Sequence, residues 1–176
     1  MRTRVTVPIA IAVAVGLTAL GIAASGFAGS GSIGQAGAAT ASFKDVHKAI
    51  AAGWSFKLPD KAGQTCIAQP PQGAMGVHMV NKKLLDAKID VTKPEALVYQ
   101  PEAGGKMDLV AIEYVVFKSA WKGSSPPSLF GRQFALTPSP NRFGLPAYYS
   151  LHAWIYKKNP SGLLSPWNPQ VTCKTK

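Results

Sequence analysis

Residues Leu109 to Phe117 read Leu-Val-Ala-Ile-Glu-Tyr-Val-Val-Phe, and both alternating faces of the run are apolar. It lies within the longest candidate strand, Met107 to Lys118, and a strand apolar on both faces belongs inside a packed sheet. Its one charged residue is Glu113, which shares a face with Leu109, Ala111, Val115 and Phe117. A carboxylate in that position is buried, and a buried charge is costly unless it is paired or bound to a cation.

Two of the three histidines stand in similar surroundings. His78 lies in Met75-Gly76-Val77-His78-Met79-Val80, and His152 in Leu151-His152-Ala153-Trp154-Ile155-Tyr156, on the face of Trp154 and Tyr156. If the three strands are neighbours with matching faces, His78, Glu113 and His152 converge. Two imidazoles and a carboxylate with open positions suit zinc, iron or copper, so a divalent transition metal is the expected cofactor. Glu113 is then a third ligand or a general base. Trp154 and Tyr156 are the adjacent candidates for contact with a small ligand. The structural alternative is a core Glu–His pair with no ligand, and no short metal motif such as HExxH decides between the two. Other chemistries lack their residues: there is no GxSxG elbow and no phosphate-cradling glycine loop before a helix.

The rest of the chain predicts an α+β domain. Ser42 can cap a helix with Asp45 three residues on, and Phe43, Val46, Ala49 and Ile50 give it one apolar face, with Gly53 as the stop. His47 falls on its polar side. Trp54 to Gln72 reads as loop. Strands follow at Met75 to Val80, Ala96 to Gln100, Met107 to Lys118 and Tyr148 to Lys157, with a short one at Arg132 to Leu136. Tyr99 and Leu109 flank a hairpin. The expected architecture is an N-terminal helix on a curved antiparallel sheet of about four to six strands. Residues 118–147, rich in Gly and Pro, form a long excursion of the kind that is functional or disordered.

The ends give a compartment. Arg2 and Arg4 precede an apolar run from Val5 to Ala24, the pattern of a secretory signal peptide over residues 1–24, with an uncleaved membrane anchor as the alternative. Residues 25–39 are Gly, Ala and Ser with few exceptions and read as a flexible linker, so residues 40–176 are the expected globular domain. An exported chain places Cys66 and Cys173 in oxidising surroundings, where they should pair as a structural disulfide. Removing Arg2 and Arg4 from the 19 basic residues leaves 17 against 8 acidic ones, a formal charge of +9. That charge, with Trp54, Trp121 and Trp167 in loops, supports a second reading: a non-catalytic module for anionic glycan or lipid surfaces of the cell envelope. Nucleic acid is not an expected partner, since no reading motif is present, and a monomer is expected.

Several segments occur in a familiar order: Gly73-Ala74-Met75-Gly76-Val77-His78, Pro94-Glu95-Ala96-Leu97-Val98-Tyr99, Glu113-Tyr114-Val115-Val116, Leu151-His152-Ala153-Trp154, Asn159-Pro160-Ser161-Gly162 and Trp167-Asn168-Pro169, ending at Cys173. Together they resemble a family of small secreted bacterial proteins. The resemblance implies that His78, Glu113 and His152 belong to the family's pattern, and it implies no particular activity.

Overall fold

The computed structural model describes residues 29–174. The signal-peptide or anchor reading of residues 1–24 lies outside them. Within them no helix is long and apolar enough to cross a membrane.

The described residues begin with helix α1 (Gly29–Thr40), a 3-10 turn (Ala41–Lys44) and helix α2 (Val46–Ala51). Nine strands follow: β1 (Phe56–Lys57), β2 (Cys66–Gln69), β3 (Gly73–Val80), β4 (Ala96–Pro101), β5 (Met107–Phe117), β6 (Ser128–Leu129), β7 (Arg132–Gln133), β8 (Ala135–Thr137) and β9 (Tyr148–Ala153). Seven of them form one antiparallel sheet in the order β1-β3-β4-β5-β9-β8, with β2 also pairing β3, while β6 and β7 make a separate hairpin. The α+β expectation holds. The sheet has one strand more than the four to six expected, because β1 and β2 lie in the segment read as loop.

One face of the sheet carries Val77, Met79, Leu97, Tyr99, Ile112, Tyr114 and Leu151, which pack with Ala36 and Ala49 of the helices and with Trp54. The helical layer is tied down by polar contacts as well. The Tyr99 hydroxyl donates to the Phe43 carbonyl at 2.6 Å, and the Trp54 indole donates to the Pro94 carbonyl at 3.0 Å. Trp54 is therefore a core residue, 6% exposed, and is removed from the proposed surface platforms.

The linker reading of residues 25–39 fails over Gly29–Ala39. These residues have poor helix propensity, but tertiary packing supplies most helical stability in proteins. Ala36 and Thr40 are fully buried, the Thr40 hydroxyl donates to the Ala36 carbonyl at 2.7 Å, and the Tyr156 hydroxyl donates to the Gly37 carbonyl at 2.9 Å. Small side chains let this helix lie close to its neighbours. The next helix starts later than the capping pattern at Ser42 suggested. Asp45 is itself the N-cap, accepting from the His47 amide at 2.9 Å. Ile50, expected on the apolar face, is 43% exposed.

Cys66 and Cys173 are joined, with their Cα atoms 5.6 Å apart. A disulfide suggests an oxidising, extracytoplasmic environment. The bond fastens the C-terminal tail to β2, and a bridge between Ala74 and Asn168 fastens the same tail to β3. Asn168 is fully buried, its amide donating to the Lys158 carbonyl at 3.1 Å.

Strand β3 has an irregular register with β2 between Ile67 and Ala68, so that Ile67 faces Gly76 and Ala68 faces Ala74. This bulge leaves Met75 out of step with Val77 and Met79 and turns it to the opposite face. Gly76 makes the kink possible. Its φ is +111°, and a Cβ there would lie 2.5 Å from the Tyr99 carbonyl oxygen. Gly76→Ala is expected to lower stability by about 2–3 kcal/mol, the left-handed strain plus displacement of β4. Gly63, at φ +79° with nothing within 4 Å of a built Cβ, carries the strain alone, so Gly63→Ala should cost about 1 kcal/mol. Urea midpoints of the two variants measure the difference, and equal losses would show that the close approach at Gly76 carries no energy.

Candidate metal centre

The second face of the sheet holds the polar residues singled out in the sequence. Strands β5 and β9 are neighbours, and Glu113 pairs with His152. Strand β3 is not adjacent to β5, because β4 lies between them. The register aligns Val80, Ala96, Glu113 and His152 in one row across four strands, with His78 facing Val98 one step along the same face. Ala96 is the reason His78 and Glu113 meet. Its single methyl group leaves the space over β4 open, and His78 Nε2 reaches Glu113 Oε2 at 3.3 Å.

The triad is compact. One donor atom from each of His78, Glu113 and His152 can be chosen so that all lie within 4.8 Å of one another. The two imidazole rings meet edge to face with centroids 5.8 Å apart. His78 and His152 are 2% and 4% exposed. Both nitrogens of His152 and Nδ1 of His78 are buried without a hydrogen-bond partner among the described residues. Each such group forfeits about 1–3 kcal/mol relative to being satisfied, and at least one nitrogen of each ring is left for a further partner.

Electrostatics sharpen the picture. Burial works against the Glu113 charge, but the hydrogen bond from His78, the two imidazoles and the Ser150 hydroxyl outweigh it and hold the carboxyl down at about 2. Burial pushes His152 down to about 4, against the pull of Glu113. At neutral pH the site thus presents a carboxylate and an uncharged imidazole, the protonation states a cation requires.

Glu95 was missed in the sequence, where it is one acid beside Pro94 ahead of a strand. It is 2% exposed. Its Oε2 accepts from the Val115 amide at 2.9 Å, standing in for the backbone partner that β4 no longer supplies at that level of β5. Burial raises this carboxyl to about 8, outweighing the Val115 hydrogen bond, with the charges of Asp86 and Glu113 adding to the rise.

The triad forms part of the wall of a cavity of about 830 Å³. Apolar side chains make up most of that wall, among them Phe56, Met75, Val115, Phe117, Phe143 and Trp167. The excursion at 118–147 supplies one side of it through Arg132, Gln133, Ala135, Thr137, Asn141, Arg142, Phe143 and Leu145. That side is braced by Asn141, whose side chain bonds the Phe143 and Leu145 amides and the Pro138 and Leu145 carbonyls. Arg142 pairs with Asp60 at 3.1 Å.

Trp154 and Tyr156 are placed differently from the expectation. Strand β9 ends at Ala153, because the Trp154 amide turns to the Leu163 carbonyl. Trp154 is 3% exposed and packs on His152 with ring centroids 4.6 Å apart, while its indole donates to the Ser165 carbonyl at 2.6 Å. It supports His152 from outside the cavity lining. Beyond the strand's end alternation no longer applies, and Tyr156 joins the helical side, its hydroxyl 2.7 Å from the Thr40 hydroxyl. The structure does not bring Tyr156 to the site.

Comparison with protein-family models, curated proteins and solved structures finds no match for this chain.

Proposed function

We propose that this domain binds a divalent transition metal through His78, Glu113 and His152, with coordination positions left open toward the apolar cavity. The observation that carries this reading is that His78, Glu113 and His152 can each bring one donor atom within 4.8 Å of the others, with a buried His152 that has no hydrogen-bond partner among the described residues beside a carboxylate held in its charged form. A structural Glu–His pair engages His78 and Glu113 and leaves His152 without a partner among the described residues, whereas one ion would take a nitrogen from each ring. Donors bonded to one ion at about 2.1 Å sit roughly 3.4 Å apart in tetrahedral geometry; His78 and Glu113 are already at 3.3 Å, so binding would mainly draw His152 toward them. Two imidazoles and a carboxylate suit zinc, iron or copper, and the open positions allow the ion to polarise a bound oxygen.

Cobalt titration of untagged, metal-free protein, followed by visible absorption, tests the proposal. Wild type should take up an equimolar amount of metal, and His152→Ala and Glu113→Gln should each weaken binding at least about 100-fold. Circular dichroism of the metal-free variants checks that they remain folded. Undiminished uptake by folded His152→Ala would overturn the assignment.

A further inference from the structure

We infer that the cavity takes a small lipophilic acid: an apolar body lying against Phe56, Met75, Val115, Phe117 and Phe143, with one anionic oxygen head directed at the triad. The inference deepens the proposed metal site and rests on it. The cavity volume of about 830 Å³ lies within the roughly 300–1,000 Å³ typical of small-molecule sites. Its apolar lining is interrupted by the His78–Glu113–His152 cluster, and a wall of that composition favours one polar end on an otherwise apolar molecule.

The sign of the head follows from charge. Glu113 alone repels an anion. A divalent ion on two neutral imidazoles and one carboxylate keeps a net positive charge and accepts an oxygen anion in an open position. Arg132 and Lys82 also line the cavity and add positive potential, while Arg142, which lines it too, is paired with Asp60. Lys82 holds its ammonium 3.7 Å from the centroid of the Phe56 ring, so a basic group stands directly beside the apolar wall. No acidic residue other than Glu113 lines the cavity among the described residues.

The test displaces the neutral fluorophore N-phenyl-1-naphthylamine with decanoate and with decan-1-ol, using cobalt-loaded and metal-free protein. Decanoate should displace it at least about tenfold more tightly from the cobalt form than from the metal-free form, and decan-1-ol should not distinguish the two. The cobalt spectrum should shift on addition of decanoate. Leu145→Trp and Ala135→Trp narrow the cavity from the 118–147 side and replace no residue of the triad, and at least one of them should lose decanoate while still taking up cobalt. Cobalt uptake with no displacement by decanoate overturns this inference and leaves the metal site standing. Displacement from protein that takes up no cobalt overturns the metal site and the head-group assignment together. Equal decanoate affinity with and without cobalt overturns the head-group assignment alone.

Discussion

Cys66→Ser/Cys173→Ser is expected to lower stability by about 4–5 kcal/mol, because the bond closes a loop of 107 residues in the unfolded chain. The effect should not be confined to the unfolded state. The tail that Cys173 anchors contributes Leu164, Pro166 and Trp167 to the cavity wall, and beyond the bond it is held to β3 by the bridge between Ala74 and Asn168. Urea unfolding of the oxidised protein and the double variant measures the loss, and hydrogen exchange should show it reaching residues 160–172 first. A difference below about 1 kcal/mol would refute the argument that closing this loop in the unfolded chain carries the stabilisation.

Glu95→Gln is expected to stabilise the protein at pH 8 by as much as about 4 kcal/mol and to leave it unchanged near pH 4. The sign follows from proton binding. The folded state holds the Glu95 proton up to about pH 8, whereas the ordinary value is 4.5, so the unfolded chain binds fewer protons between those values. Stability contributed by neutral Glu95 is complete below pH 4.5 and is lost as the pH rises through 8, at up to about 1.4 kcal/mol per pH unit. Glutamine keeps the acceptor for the Val115 amide and cannot ionise. His152, held down at about 4 from 6.5, acts in the opposite sense: the folded state gains stability as pH rises from 4 to 6.5. Glu113, held down at about 2, has lost nothing by pH 4.5. The readout is therefore the difference between variant and wild type across pH 4 to 8, measured by urea unfolding of metal-free protein. A difference that stays flat over that range would refute a proton on buried Glu95.

These cases show what a chain of this kind discloses before its structure is known. Glu113, His78 and His152 were legible because each interrupts an apolar strand, and period-two alternation assigns a face without knowledge of strand order. That β4 intervenes between His78 and Glu113, and that Ala96 leaves room for them, depended on register, which the alternation leaves open. The pairing of Tyr99 with Leu109 was legible because the Gly104–Gly105 turn lies between two apolar runs. Glu95 was not, because an acid beside a proline resembles surface charge until the end of β4 is known. Helix α1 was hidden for another reason: its stability comes from Tyr156 and the sheet, far away in sequence. Tyr156 was misplaced by extending β9 past Ala153, where a loop carbonyl from Leu163 captures the backbone. The short strands β1 and β2 carry too few residues for any periodicity to register.

Those two short strands matter for how the molecule meets other molecules. An unpaired strand edge is a template on which a foreign strand can add. Along β3, β2 occupies Gly73 to Val77 and β1 occupies Met79 and Val80, while the Leu58 amide takes the His78 carbonyl between them. At the opposite border β8 covers Tyr148 to Ser150 and is itself only three residues long. The long strands that carry the candidate metal centre are thus flanked, over Gly73–Val80 of β3 and Tyr148–Ser150 of β9, by segments too brief and too irregular to seed cross-chain pairing. Recruitment of a neighbouring copy by strand addition would first require one of these flanks to peel away, which would also open the wall of the cavity.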